Sequence, residues 1–242
     1  MKKIFFITLT VLGSIQFSHA QIRGVLNKAG DKISETTGNS GGALTEEEVG
    51  RGLKEALTRG IEKGVDQVSK PDGYFKDLAI KILMPDEAKM VEEKLRSVGQ
   101  GKLVDDAIES MNRAAEDAAN GAKDIFVTAI KSLTVQDAMG ILRGGDDAAT
   151  QYLGRTTRSA LVDKFRPIIK ASLEKVGATK HWNTMFTAYN RIPMVKKVDP
   201  DLEEFVTNKA VDGLFVQIAK EEKEIRNNPG ARVSDLLKKV FG

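Results

Sequence analysis

With 242 residues, 37 basic and 34 acidic side chains and no cysteine, this chain excludes several classes at the outset. It is long enough for a sizeable core, has no thiol for a disulfide or a cysteine-held zinc, and has too little charge excess to seek nucleic acid. Aromatics make up only 6% and β-branched runs are scarce, which favours helix over sheet.

Residues 1–20 read as an export signal. Lys2 and Lys3 form a positive start, Ile4 to Phe17 an apolar run, and Ser18 and Ala20 the small residues of a cleavage site. The run is too short for a comfortable membrane span, and no cysteine follows the cut to carry a lipid. The expected mature chain starts at Gln21 and is periplasmic, with an extracellular location as the alternative. Without the leader's two lysines the charges stand at 35 against 34. No later apolar run approaches the length of a transmembrane helix.

Residues 21–44 are expected to be an arm and flexible linker. Ile22, Val25, Leu26, Ala29 and Ile33 give 22–33 one modest apolar face, and 34–43 are rich in Ser, Thr and Gly. The arm could also dock on a membrane or on the domain. An all-helical domain over 45–242 follows. Thr45 and Glu48 form a capping box, and Val49, Leu53, Leu57, Ile61 and Val65 mark the first helix's buried stripe. Gly60 and Gly64 sit one turn apart inside it, which predicts a close helix crossing. Pro71-Asp72-Gly73 ends this helix. Pro85 is expected to open a second long helix that Gly99 caps.

Residues 102–119 give a third helix, and Ile125 to Leu133 a fourth. Thr134 with Asp137 caps a short one through Leu142. After Gly144-Gly145, Asp146 or Asp147 is expected to cap a helix that kinks or restarts at Pro167. Trp182, Phe186 and Tyr189 share a buried face of the next helix. Asp199-Pro200 is expected to start the longest one, reaching Asn227, and Ser234 to cap a last helix bearing Leu236, Leu237, Val240 and Phe241. No segment shows sustained period-two alternation. The pattern predicts an all-α fold, a single domain of about eight or nine helices.

The usual chemistry is missing. The mature chain has one histidine, His181, so a zinc site of the usual kind cannot be built, and no metal or cofactor is expected. Ser172-Leu173-Glu174-Lys175 matches an acylating SxxK but lacks the companion elements. Three polar constellations remain. Asp146 and Asp147 with Gln151, Arg155 and Arg158 line one helix face; it could bind an anion, although a solvated face is the plainer reading. Glu109, Asn112, Arg113 and Glu116 form a second cluster, which reads as an ordinary exposed face. Glu221, Glu222, Arg226, Asn228 and Arg232 could be a buried network or a charged stripe. Asp146, Asp147, Gln151, Arg155, Arg158, Glu222, Arg226 and Arg232 are the candidate ligand-binding residues.

Four stretches are distinctive together. They are Gly101-Lys102-Leu103 leading to Asn112-Arg113-Ala114-Ala115-Glu116; Asp146 to Tyr152 with Arg155 and Thr156; Asp199 to Leu202 with Lys209 to Phe215; and Ile225 to Pro229 with Ala231, Arg232 and the terminal Leu236 to Gly242. In these the chain resembles an exported bacterial family, domain of unknown function 4197, over roughly 45–242. The resemblance implies a helical, secreted, single-domain protein and supplies no catalytic residues. The expected role is binding or structural support in the cell envelope. The expected partner is an envelope protein, a lipid or a small anionic ligand, with no nucleic acid and no transmembrane segment. The alternative is a metal-independent, hydrolase-like enzyme using Asp, Glu and Arg.

Overall fold

A computed structural model describes residues 44–175, 177–191, 194, 201–232 and 234–241. The leader, nearly all of the arm and the Asp199-Pro200 helix start lie outside these residues. The fold is all-α. Among the described residues eight helices have nine or more residues: α1 (Glu46–Val68), α2 (Lys89–Ser97), α3 (Gly101–Ala119), α4 (Lys123–Ser132), α5 (Val135–Arg143), α6 (Ala148–Lys175), α7 (Ala178–Asn190) and α8 (Leu202–Asn227). A ninth, α9 (Asp235–Phe241), is short. There is no strand among the described residues.

The caps behave largely as the sequence predicts. Thr45 and Glu48 close a full capping box at α1, and Thr134 and Asp137 do the same at α5. Gly99, at φ 77°, ends α2; the Gln100 N–H donates to the Leu95 carbonyl and the Gly99 N–H to that of Arg96. Other expectations need correction. Pro85 is followed by one 3₁₀ turn, Asp86–Ala88, and then by a helix of only 9 residues. The described start of α8 is capped by Asp201, whose carboxylate accepts from the Glu204 N–H. At 26 residues α8 is not the longest helix, because α6 runs 28 residues without a break through Pro167. Pro167 and Asp163, whose carbonyl the proline deprives of a partner, both face solvent, so water can satisfy the missing bond.

The long helix α8 packs against α1, α3 and α6, and α3 also packs against α6 and α7. Ala114, Ala115, Ala118 and Ala119 are fully buried on α3; their small side chains let neighbouring backbones close in from several sides. Trp182, Phe186 and Tyr189 are buried as expected. The predicted close crossing lies between α1 and α8: a Cβ on Gly60 would stand 3.3 Å from Ile225 Cδ1, and one on Gly64 3.6 Å from Gln217 Cγ. The last helix docks on the first. At Gly52 a Cβ would fall 2.7 Å from Val240 Cγ2 and 3.0 Å from Leu236 Cγ.

One stretch breaks the helical pattern. In Ile80-Lys81-Ile82-Leu83-Met84 the odd member of each pair turns outward: Ile80, Ile82 and Met84 are buried, while Leu83 is 58% exposed. This is a period-two alternation, too short to stand out in the sequence. Among the described residues no single helix is long and apolar enough to cross a membrane.

Candidate functional site

Two polar junctions and one groove hold the chemistry of the molecule. The first junction grows from α3. Asn112 and Glu116 lie one turn apart and are buried, not on the exposed face that their spacing suggested. The Asn112 side chain bonds both backbone groups of Ile82: its Oδ1 accepts from the N–H and its Nδ2 donates to the C=O, each at 2.8 Å. Glu116 accepts from the N–H groups of Tyr74 and Phe75, both at 3.1 Å, through one carboxylate oxygen. Its other oxygen accepts from Arg113 at 2.9 Å. That bond is the main reason the Arg113 pKa is raised; burial opposes it and Asp72 adds to it.

Tyr74 is fully buried and donates to the Ala210 carbonyl at 2.6 Å. Burial drives its phenol pKa up, and the charges of Glu116 and Asp212 push it the same way. Its ring fills a notch at Gly213, where a Cβ would lie 2.6 Å from Tyr74 Cε1. Together these contacts fix the non-helical segment 72–84.

The second junction grows from the end of α8. Glu222 is buried and accepts from the N–H groups of Ala149 and Thr150 at 2.9 and 2.8 Å, and from the Thr150 hydroxyl at 2.7 Å. Glu222, rather than Asp146 or Asp147, therefore serves the first amides of α6. The Asp147 carboxylate instead accepts from the Gln151 amide at 3.0 Å. Arg226 pairs with Glu222 at 2.8 Å and donates to the Ile141 carbonyl at 2.9 Å, in the last turn of α5. The anion of this pair faces a helix start and the cation a helix end, so both match the local dipoles. Arg232 donates to the Arg226 and Ile225 carbonyls at 2.8 and 3.2 Å and closes the end of α8.

The candidate residues therefore divide. Glu222, Arg226 and Arg232 form an internal network, buried at Glu222 and half-buried at both arginines, while Asn228 of the same cluster is exposed. Asp146, Asp147, Gln151, Arg155 and Arg158 are exposed on the start of α6. Arg158 reaches across to Asp212 at 2.5 Å, while no hydrogen bond or ion pair of Arg155 is made among the described residues. Glu222 meets the start of α6 at Ala149 and Thr150, but no hydrogen bond or ion pair among the described residues joins the two groups of side chains. Ser172 of the SxxK match donates to Asp117 at 2.6 Å. Among the described residues no three His, Asp or Glu side chains group to hold a metal ion.

The groove, which the sequence did not suggest, runs beside the first junction. It is open, about 570 Å³ in volume, and follows the chain from Ala79 to Glu87. Phe205, Lys209, Gly213 and Val216 on one face of α8 form its other wall. Asp86 is paired with Lys89 at 2.7 Å. The comparisons with known proteins bear on this fold and not on the groove. No curated protein and no solved structure matches the chain. The family model described as "Protein of unknown function (DUF4197)" matches residues 43–242, which takes in every described residue, and the chain belongs to that family.

Proposed function

We propose that this protein is a binding module of the cell envelope, exported by its leader to the periplasm, and not an enzyme. The observation that carries this reading is how the three buried carboxylates are used: Glu221 is paired with Lys63 at 2.7 Å, and the other two are held more fully. Glu116 and Glu222 have the burial that an acid–base catalyst would need, but each accepts two backbone N–H groups and an arginine of its own chain. A catalytic carboxyl must turn a free lone pair or proton toward a substrate. In the groove, Asp86 and Asp212 are likewise paired, with Lys89 and Arg158. What the surface offers instead is an open, partly apolar channel of a size to receive a ligand.

Native mass spectrometry of the protein purified from its own envelope tests this reading. The expected result is a chain beginning at Gln21 that retains a bound partner. Recovery of cytoplasmic protein with Met1 intact, or of a chain that carries no partner, would overturn it.

A further inference from the structure

We propose that the groove between Ala79–Glu87 and α8 receives an extended, acidic segment of another polypeptide, which adds as a strand along Leu83. The inference rests on the binding reading above and names its partner. Its starting point is the backbone. Both polar backbone groups of Ile82 are taken by the Asn112 amide, so one side chain does for Ile82 what a neighbouring strand would do. Successive residues of an extended chain turn these groups to opposite sides. The N–H and C=O of Leu83 therefore face away from Asn112, and no hydrogen bond among the described residues uses them. The free edge is short, since the Lys81 N–H donates to the Asp77 carbonyl, Pro85 has no N–H and its carbonyl accepts from Ala88, so the seat for an added strand is the Leu83 pair of backbone groups. Leu83, 58% exposed, and Val216, 40% exposed, offer apolar contacts to alternate side chains of the guest.

Charge selects the guest. Lys81 lies 4.2 Å above the Phe75 ring and Lys209 6.0 Å from the Phe205 ring, and neither forms an ion pair among the described residues. With Asp86 and Asp212 already paired, Glu87 is the one remaining acid at the lip. The net pull is on carboxylates. The chain's own 22–33 segment carries Arg23, Lys28 and Lys32 against a single Asp31, the wrong sign for this seat.

The test uses the full mature chain and two labelled octapeptides, one alternating valine with aspartate, the other valine with lysine. Fluorescence anisotropy should show binding of the aspartate peptide alone. The double variant Lys81→Glu, Lys209→Glu should weaken it about tenfold or more. Leu83→Pro removes the outward N–H without breaking an internal hydrogen bond. It should abolish binding at an unchanged melting temperature, and in the wild type the peptide should slow amide exchange at Leu83. Should Leu83→Pro destabilise the fold, the charge variant and the exchange measurement decide. Peptide binding with fast Leu83 exchange overturns strand addition. Binding to phosphatidylglycerol vesicles with no peptide binding overturns the peptide guest in favour of a membrane surface and leaves the binding reading intact. A partner that survives the charge variant in native mass spectrometry overturns the groove alone.

Discussion

The two junctions use the same device on different substrates. In each, a buried glutamate accepts two successive backbone N–H groups and an arginine within one turn of its own helix. At Glu222 those amides belong to the first turn of α6, which the helix itself holds in line. At Glu116 they belong to Tyr74 and Phe75, in a segment with no regular structure of its own. The first carboxylate completes an order that exists without it, and the second creates it. The surroundings differ in the same sense. Arg226 is 11% exposed and Arg113 is 31% exposed, with Asp72 and Glu109 as further partners.

Glu116→Ala should therefore have the largest effect. It leaves two amides without their acceptor and frees the 72–84 segment, a loss of about 3 kcal/mol in urea unfolding. Limited trypsin digestion should cut first at Lys76 or Lys81. If cleavage there is no faster than in the wild type, the segment holds itself and the comparison fails.

Glu222→Ala should destabilise less, by about 2 kcal/mol, because a substitute stands nearby. Asp147 sits just before α6, in position to accept from the helix amides once Glu222 is gone. Asp147→Ala alone, at an exposed residue, should change little. The double variant should lose about 1 kcal/mol more than the sum of the two, read from a double-mutant cycle. Simple additivity would show that Asp147 never takes over.

The smallest effect is in pH. Asp72 is held below the ordinary carboxylate range, first by its bond to Lys76 and then by Arg113. Because the folded value is depressed, its contribution is present above the unfolded value of 3.8 and fades as pH falls through the lowered one. Asp72→Asn should melt slightly below the wild type at pH 7, and the gap should close at more acid pH. A gap that stays constant would assign the difference to geometry instead of charge.

The helices were legible because burial on a helix repeats every three or four residues, and Leu53, Ile61, Met111 and Leu214 carry that beat. Gly60 and Gly64 were legible because glycine inside a helix needs a reason. Asn112 and Glu116 were not. Polar residues at helical spacing look like a solvated face, and their partners lie 30 to 42 residues away in sequence. Gly213 was opaque for the same reason: the Tyr74 ring and Ile80, far off in the chain, explain it. The cap on α6 was misassigned because a nearby aspartate is the usual solution, and nothing local reports that Glu222 arrives from another helix. The groove escaped because its edge is only a few residues long and its inner side is held at Ile82 by a side chain instead of a strand.

The docking of α9 on Gly52 has a consequence for when the protein folds. The first helix of the domain has part of its surface finished by the last one, through Leu236 and Val240. No growing chain can seal that face until residues near 240 have emerged. That face stays open until those residues arrive, and α9 acts as a latch that closes on α1 after the rest of the helices have been made.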